Sequence, residues 1–183
     1  MKSLARSYIW WPGLDKEIEE KVRMCTSCQE QQPMPAEAEL HPWEYLSRPW
    51  SRLHMDFAGP FLGHMWLVII DARTKWIEVH CMNKITSEAT VEKCRETFAT
   101  HDLPELVVTD NGSSFTSEEF DTFMKLNGIK LIHSAPYHPA SNGLAENAVK
   151  TFKNGMKSTS GGSVLTRLHR WLFQHRITPH STT

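Results

Sequence analysis

Three carboxylates have the residue types and spacing best suited to chemistry in this chain: Asp56, Asp110 and Glu146, with thirty-five residues between the last two. Each stands in its own phrase: Leu53-His54-Met55-Asp56-Phe57, Val107-Val108-Thr109-Asp110-Asn111-Gly112, and Ser141-Asn142-Gly143-Leu144-Ala145-Glu146-Asn147. One acid alone says nothing, because 21 of the 183 residues are Asp or Glu. Three acids converging from two strand ends and a helix would make an oxygen cage open to substrate. Mg2+ or Mn2+ suits such a cage, since a hard divalent cation takes a few carboxylates, keeps waters and accepts substrate phosphate. Two ions about 3.5–4 Å apart would activate an attacking oxygen and stabilise the leaving one in an in-line displacement at phosphorus.

The cations are placed to complement that chemistry. The formal net charge is only −1, yet no Asp or Glu follows Glu146. Of the 20 Lys and Arg, six lie beyond it: Lys150, Lys153, Lys157, Arg167, Arg170 and Arg176. Residues 1–146 therefore hold 14 cations against 21 acids, a net −7. An acidic body and a basic C-terminal stretch fit a metal site beside a phosphate backbone. A solvated basic helix pair has the same composition. The four cysteines (Cys25, Cys28, Cys81 and Cys94) are too sparse for a disulfide framework and fit a reducing compartment. Cys25 and Cys28 have the CxxC spacing of half a zinc site, whereas Cys81 and Cys94 fall at apolar positions.

The elements that must position these groups are legible from periodicity. Residues 13–24 are predicted helical, with Leu14, Ile18, Val22 and Met24 as the apolar stripe. A Pro- and Glu-containing linker follows from Gln31 to Pro49. A strand is predicted to end at Asp56, just before a turn at Gly59-Pro60. Met65 to Ile70 and Trp76 to Cys81 flank Asp71 to Lys75 in a hairpin pattern. Thr86 to Thr100 reads as a helix capped by Ser87 or Thr86, with Ala89, Val91, Cys94 and Phe98 inward. Glu105 to Thr109 is a short buried strand, and Ser117 caps a helix that Gly128 terminates. Ile129 to His133 is a fifth strand. A long helix over 142–156 and another over 164–175 complete a mixed α/β layout. On the first of these two helices, Ala145, Ala148, Val149, Phe152 and Met156 share one side, and Glu146, Lys150, Lys153 and Lys157 another. A Glu–Lys stripe also stabilises a plain surface helix, and an Asp at a strand end also caps a turn.

The chain resembles the integrases of gypsy-type LTR retrotransposons, which are close to retroviral integrases. The resemblance is carried by Tyr8-Ile9-Trp10-Trp11-Pro12-Gly13, Cys25-Thr26-Ser27-Cys28-Gln29, Trp50-Ser51-Arg52-Leu53-His54-Met55-Asp56-Phe57-Ala58-Gly59-Pro60, Val108-Thr109-Asp110-Asn111-Gly112 and the stretch from Ala135 to Glu146. It implies an RNase H-like mixed five-stranded sheet flanked by helices, preceded by a partial helical zinc-module remnant. It also implies Asp56, Asp110 and Glu146 as the metal-binding catalytic triad, with Mg2+ or Mn2+ as cofactor and two ions expected. The implied activity is trimming of the element's DNA 3′ ends and their joining to target DNA. The attacking group is water in the first step and a DNA 3′-hydroxyl in the second. Lys150 and Lys153 fall where the family meets the DNA end, and Lys157 continues that stripe. The loop from Ser134 to Gly143 resembles the family's active-site loop, where Tyr137, His138 and Asn142 would position DNA. The other reading is an ordinary surface connection.

The resemblance assigns 1–32 to an H2C2 zinc-module remnant, 33–49 to a linker and 50–183 to a C-terminally shortened catalytic core. The family's module uses two His before two Cys. Those His would precede Met1, and His41 lies downstream in the linker, so no Zn2+ is expected on Cys25 and Cys28. The chain is read as a piece of a transposon Pol polyprotein. Its expected partners are retroelement ends and target DNA, with a homo-oligomer when full length. Nuclear localisation is expected; no apolar run is long enough to span a bilayer, and Met1 to Arg6 forms no signal core. The alternative function is a catalytically silent or host-retained integrase-derived protein that binds DNA or chromatin. A nuclease acting on RNA–DNA hybrids would use the same acids.

Overall fold

The computed structural model of the protein describes residues 2–25, 48–134 and 142–178, and the chain divides into two units, 1–41 and 42–183. The first unit contains α1 (Lys2–Tyr8) and α2 (Leu14–Met24). Helix α1 has seven residues and no apolar period that would mark it in the sequence. The Arg6 guanidinium bonds Asp15 in the first turn of α2, with Nε 3.1 Å from Oδ1. Gly13 enters α2 at φ 96°, a left-handed conformation that glycine adopts without steric cost. Leu14 is buried, while Met24 is exposed and leaves the expected stripe.

The second unit is built on β1 (Arg52–Phe61), β2 (His64–Asp71), β3 (Ile77–Met82), β4 (Leu106–Thr109) and β5 (Lys130–His133). Their order in the sheet is β3-β2-β1-β4-β5. The pairs β1–β2 and β2–β3 are antiparallel, whereas β1–β4 and β4–β5 are parallel. The helices are α3 (Ser87–His101), α4 (Glu118–Leu126), α5 (Gly143–Ser158) and α6 (Val164–Ile177). Three of them begin at a hydroxyl cap. Thr86 accepts from the Ala89 N–H, Ser117 from that of Phe120 and Ser163 from that of Thr166. Among the described residues no helix is long and apolar enough to cross a membrane.

Both faces of the sheet are covered, which is why β2 is apolar at nearly every position. Leu53, Met55, Leu67, Ile69 and Val107 pack against Val91, Cys94 and Phe98 of α3 and Phe120, Phe123 and Met124 of α4. Ala58, Trp66, Val68, Ile70, Ile77 and Val79 pack against Ala145, Ala148, Phe152 and Met156 of α5 and Leu168, Trp171 and Leu172 of α6. Strand alternation does the sorting: from Leu53 to Ala58, odd positions of β1 face α3 and α4 and even positions face α5.

One expectation is corrected. Asp56 does not end a strand; it lies in the middle of β1, paired with Val68. The ladder continues to Phe61↔His64 across an irregularity between Ala58 and Phe61. The chain reverses at Leu62 and Gly63, which hold φ values of 53° and 76°, rather than at the cis Gly59-Pro60 bond. The Trp66 indole N–H donates to the Phe61 carbonyl at 2.9 Å, tying down this extension.

Candidate active site

The register of the parallel pair brings two of the three acids together. Arg52, Leu53 and His54 of β1 pair with Leu106, Val107 and Val108 of β4. Carrying that register on by two residues sets Asp56 level with Asp110, one strand over. Alternation then points both side chains to the same face. Leu53 and Met55 point away with Val107, so Asp56 and Asp110 point towards α5. Asp110 has left the strand into a turn, where its Oδ1 accepts the Gly112 N–H at 3.0 Å.

Glu146 enters from α5, which packs on β1 and β2 through Ala145 and Ala148. Burying those two alanines leaves Glu146 on the exposed flank of the helix. Burial, then the Asp110 carboxylate, push the Asp56 carboxyl up to about 6; the Phe57 N–H opposes this, Glu146 adds to it and Lys153 opposes it. The three acids and Lys153 therefore share one electrostatic site. Among the described residues no three His, Cys, Asp or Glu side chains already stand close enough to hold a metal ion. The donor set nonetheless fits a hard divalent cation: three carboxylates, one of them short of compensating positive charge and one on an exposed, rotatable glutamate.

Asn142, expected to position DNA, is 2 % exposed, and its amide bonds inside the protein. Its Nδ2 donates to the Met55 carbonyl at 3.1 Å, and its Oδ1 lies 3.2 Å from His54 Nδ1. His54, 1 % exposed, is held neutral by burial, its pKa lowered to about 4. His54 carries no motif of its own; its parity with Asp56 on β1 is the signal in the sequence that places it on the α5 face.

The basic stretch also divides. Lys150 and Lys157 are exposed and Lys153 is half-buried along the flank of α5 that carries Glu146. The arginines are engaged by the protein itself. Arg167 donates to the Thr159 carbonyl at 2.7 Å and also to that of Met156, and Arg170 donates to the Gly161 carbonyl at 3.2 Å. Arg167 thereby closes the C-terminal end of α5, where carbonyls lack helical partners, and Arg170 ties the loop that follows it. Arg176 pairs with Glu78 at 2.7 Å and lies over the Trp76 ring. Of the basic stretch, the three lysines that the sequence marks for DNA lie along the exposed flank of α5, whereas the arginines bond the protein itself.

Among the cysteines, Cys94 is fully buried, its thiol pushed up to about 12 by burial. Cys81 is half-buried, and so is Cys25 at the C-terminal end of α2. Cys28, Tyr137, His138 and His41 lie outside the described residues.

Comparison with known proteins identifies the family. The integrase core domain model matches residues 47–139, and the integrase zinc binding domain model matches residues 1–34. A Caenorhabditis elegans protein named "Uncharacterized protein K02A2.6" is 43 % identical over 183 residues, covering 99 % of this chain and 14 % of that protein. The Pro-Pol polyprotein of feline foamy virus is 33 % identical over 146 residues, covering 75 % of this chain and 12 % of its own length. The Transposon Tf2-3 polyprotein of Schizosaccharomyces pombe is 30 % identical over 149 residues, covering 77 % and 11 %. The chain therefore spans about an eighth of the length of the relatives it matches. In structure, it resembles a chain of the simian T-cell lymphotropic virus intasome solved with PP2A regulatory subunit B56 gamma. The TM-score is 0.72 at 18 % identity, covering 92 % of this chain and 64 % of that one. The fold is that of the RNase H-like integrase cores, and the chain belongs to the integrase core domain family found in retrotransposon and retroviral Pol polyproteins.

Proposed function

We propose that this chain carries the catalytic core of a divalent-metal-dependent polynucleotidyl transferase that trims retroelement DNA 3′ ends and joins them to target DNA. The observation that carries the reading is the convergence on Asp56 of Asp110 from the neighbouring strand and Glu146 from α5. Asp56, Asp110 and Glu146 would hold Mg2+ or Mn2+, which when bound lowers the pKa of an attacking water or hydroxyl and neutralises a leaving oxygen.

The remaining roles belong to the chain itself. Asp56 is held rigid inside β1, and Gly112 fixes one oxygen of Asp110. Glu146 has the freedom to turn inward and complete the donor set. Lys150, Lys153 and Lys157 lie on successive turns of α5, where they would track a DNA backbone leading to the acids. Residues 50–183 form the core in this reading, 33–49 a linker, and 1–32 the Cys half of a zinc module. A homo-oligomer acting on DNA in the nucleus follows from the family alone.

The test is a strand-transfer assay on short duplexes carrying the element's terminal sequence, in Mg2+ and in Mn2+, with Asp110→Asn as the blank. Product above the blank is expected. Product equal to the blank sinks the enzymatic reading in favour of a silent DNA-binding protein, and cleavage of an RNA–DNA hybrid instead would point to a nuclease.

A further inference from the structure

Asn142 stands at the N-cap position of α5, yet its side chain makes no capping bond. Asn is among the preferred residues at that position because its side-chain oxygen usually accepts an N–H of the first helical turn. Here the amide leaves the helix and crosses to β1. The backbone keeps its helical duty: the Asn142 carbonyl accepts the N–H of Ala145 at 2.9 Å and that of Glu146 at 3.2 Å.

The bonds on the β1 side have a fixed polarity. A backbone carbonyl can only accept, so the Asn142 amide nitrogen must face Met55 and its oxygen must face His54. His54 Nδ1 must then carry the proton and donate. Asparagine meets both demands at once; aspartate lacks the donor, and leucine lacks donor and acceptor alike. The bridge is dry, with both residues at 2 % exposure or less. Buried hydrogen bonds of this kind are costly to leave unmade.

The anchor points define what the bridge connects. Met55 directly precedes Asp56, and His54 lies two residues before it on the same face. Glu146 follows Asn142 by one helical turn and donates its own backbone N–H to it. At the other margin of this site Ser134 is tied down as well: its N–H donates to the Thr109 carbonyl at 2.8 Å, and its carbonyl accepts Asn111 Nδ2 at 2.8 Å. That pair secures the Asp110 side. The α5 side is secured by Asn142.

We infer that Asn142, through His54 and the Met55 carbonyl, is a positioning residue that sets the distance and angle between Glu146 and Asp56, and with them the affinity of the three-acid site for a divalent cation. This rests on the integrase reading of the acids, but not on any DNA contact by Asn142. Groups that orient metal-binding side chains without touching the ion typically change affinity by about 10–100-fold when removed.

The experiment measures Mn2+ affinity of the whole chain by calorimetry and duplex DNA affinity in Ca2+ by fluorescence anisotropy, with circular dichroism to confirm folding. Asn142→Leu is expected to weaken Mn2+ at least about tenfold and leave DNA affinity within twofold. Asn142→Asp is expected to weaken Mn2+ as well, because the donor to Met55 is gone. His54→Gln, which retains the Asn142–Met55 bond, should lose less than Asn142→Leu. If Asn142→Leu does not fold, Asn142→Asp and His54→Gln carry the test. Folded variants that bind Mn2+ within twofold of the parent overturn the positioning role, and so does a loss of DNA affinity equal to the loss of Mn2+ affinity. If Asp56→Asn abolishes Mn2+ binding while every Asn142 and His54 variant binds normally, the acid-site reading survives and this inference falls. No Mn2+ binding by the parent chain overturns both.

Discussion

Asp110 follows directly on β4, level with Asp56 when the β1–β4 register is carried on by two residues, and after burial it is the chief cause that raises the Asp56 carboxyl to about 6. Like charges this close make either acid's removal felt by the other. Asp110→Asn is expected to lower the Asp56 pKa towards its ordinary value while weakening divalent-ion binding. Strand-transfer rate should fall at least about a hundredfold, since a metal site supplies several kcal/mol of transition-state stabilisation. Carboxyl NMR titration and single-turnover kinetics check the two halves separately.

Two buried groups oppose each other in their effect of pH on stability. His54 has its pKa lowered from 6.5 to about 4, so below 6.5 the unfolded chain takes up a proton that the fold refuses. Its contribution is fully present above pH 6.5 and is lost as pH falls towards 4, with a ceiling of about 3 kcal/mol. Asp56 behaves in the reverse sense. Raised from 3.8 to about 6, it disfavours the fold increasingly as pH rises through that window in the absence of metal. The metal-free parent should therefore show a shallow pH dependence between 4 and 6.5. Asp56→Asn should unmask a stability that rises with pH, measured by urea denaturation at stepped pH. A flat profile for that variant contradicts the sign given to His54.

The lysines and arginines of the C-terminal stretch should separate in a salt titration of DNA binding. Each of Lys150→Gln, Lys153→Gln and Lys157→Gln is expected to reduce the slope of log affinity against log salt by about 1. Arg167→Gln and Arg170→Gln should leave that slope unchanged, and Arg167→Gln should instead lower stability by about 1 kcal/mol, because it releases the Met156 and Thr159 carbonyls at the end of α5. Arginine variants that change the slope as the lysine variants do would refute this division.

Gly155 should tolerate no side chain. A Cβ built there would lie 1.8 Å from the Trp171 indole nitrogen, so the close approach of α5 and α6 depends on its absence. Although alanine favours a helix over glycine, Gly155→Ala is expected to cost about 1–3 kcal/mol from overpacking against Trp171. Thermal denaturation reads the difference; a gain in stability would mean that the two helices do not meet in this way.

Much of the core was legible because its signals are local. Ser117 and its apolar period mark α4, and the alternation of Ala145, Ala148, Phe152 and Met156 marks the buried side of α5, from neighbours within a few turns. The strand through Asp56 was misjudged in extent because Gly59-Pro60 looks like a turn, and only the pairing of Ala58 with Trp66 and Phe61 with His64 across β2 keeps the chain extended there. The short α1 helix gave no period to read.

By itself the sequence determined which acids could act, on which kinds of element they ride, and which residues of α5 face inward; these depend on residue type and on periods of 2 and 3.6. The tertiary structure decided which of those side chains remain available. Asn142 and His54 are 88 residues apart, yet the oxygen of one meets Nδ1 of the other, and Arg176 is 99 residues from the Ile77 carbonyl to which it donates. A buried polar group must find its partner wherever the packed chain brings one, and spacing along the chain carries no record of that distance in space.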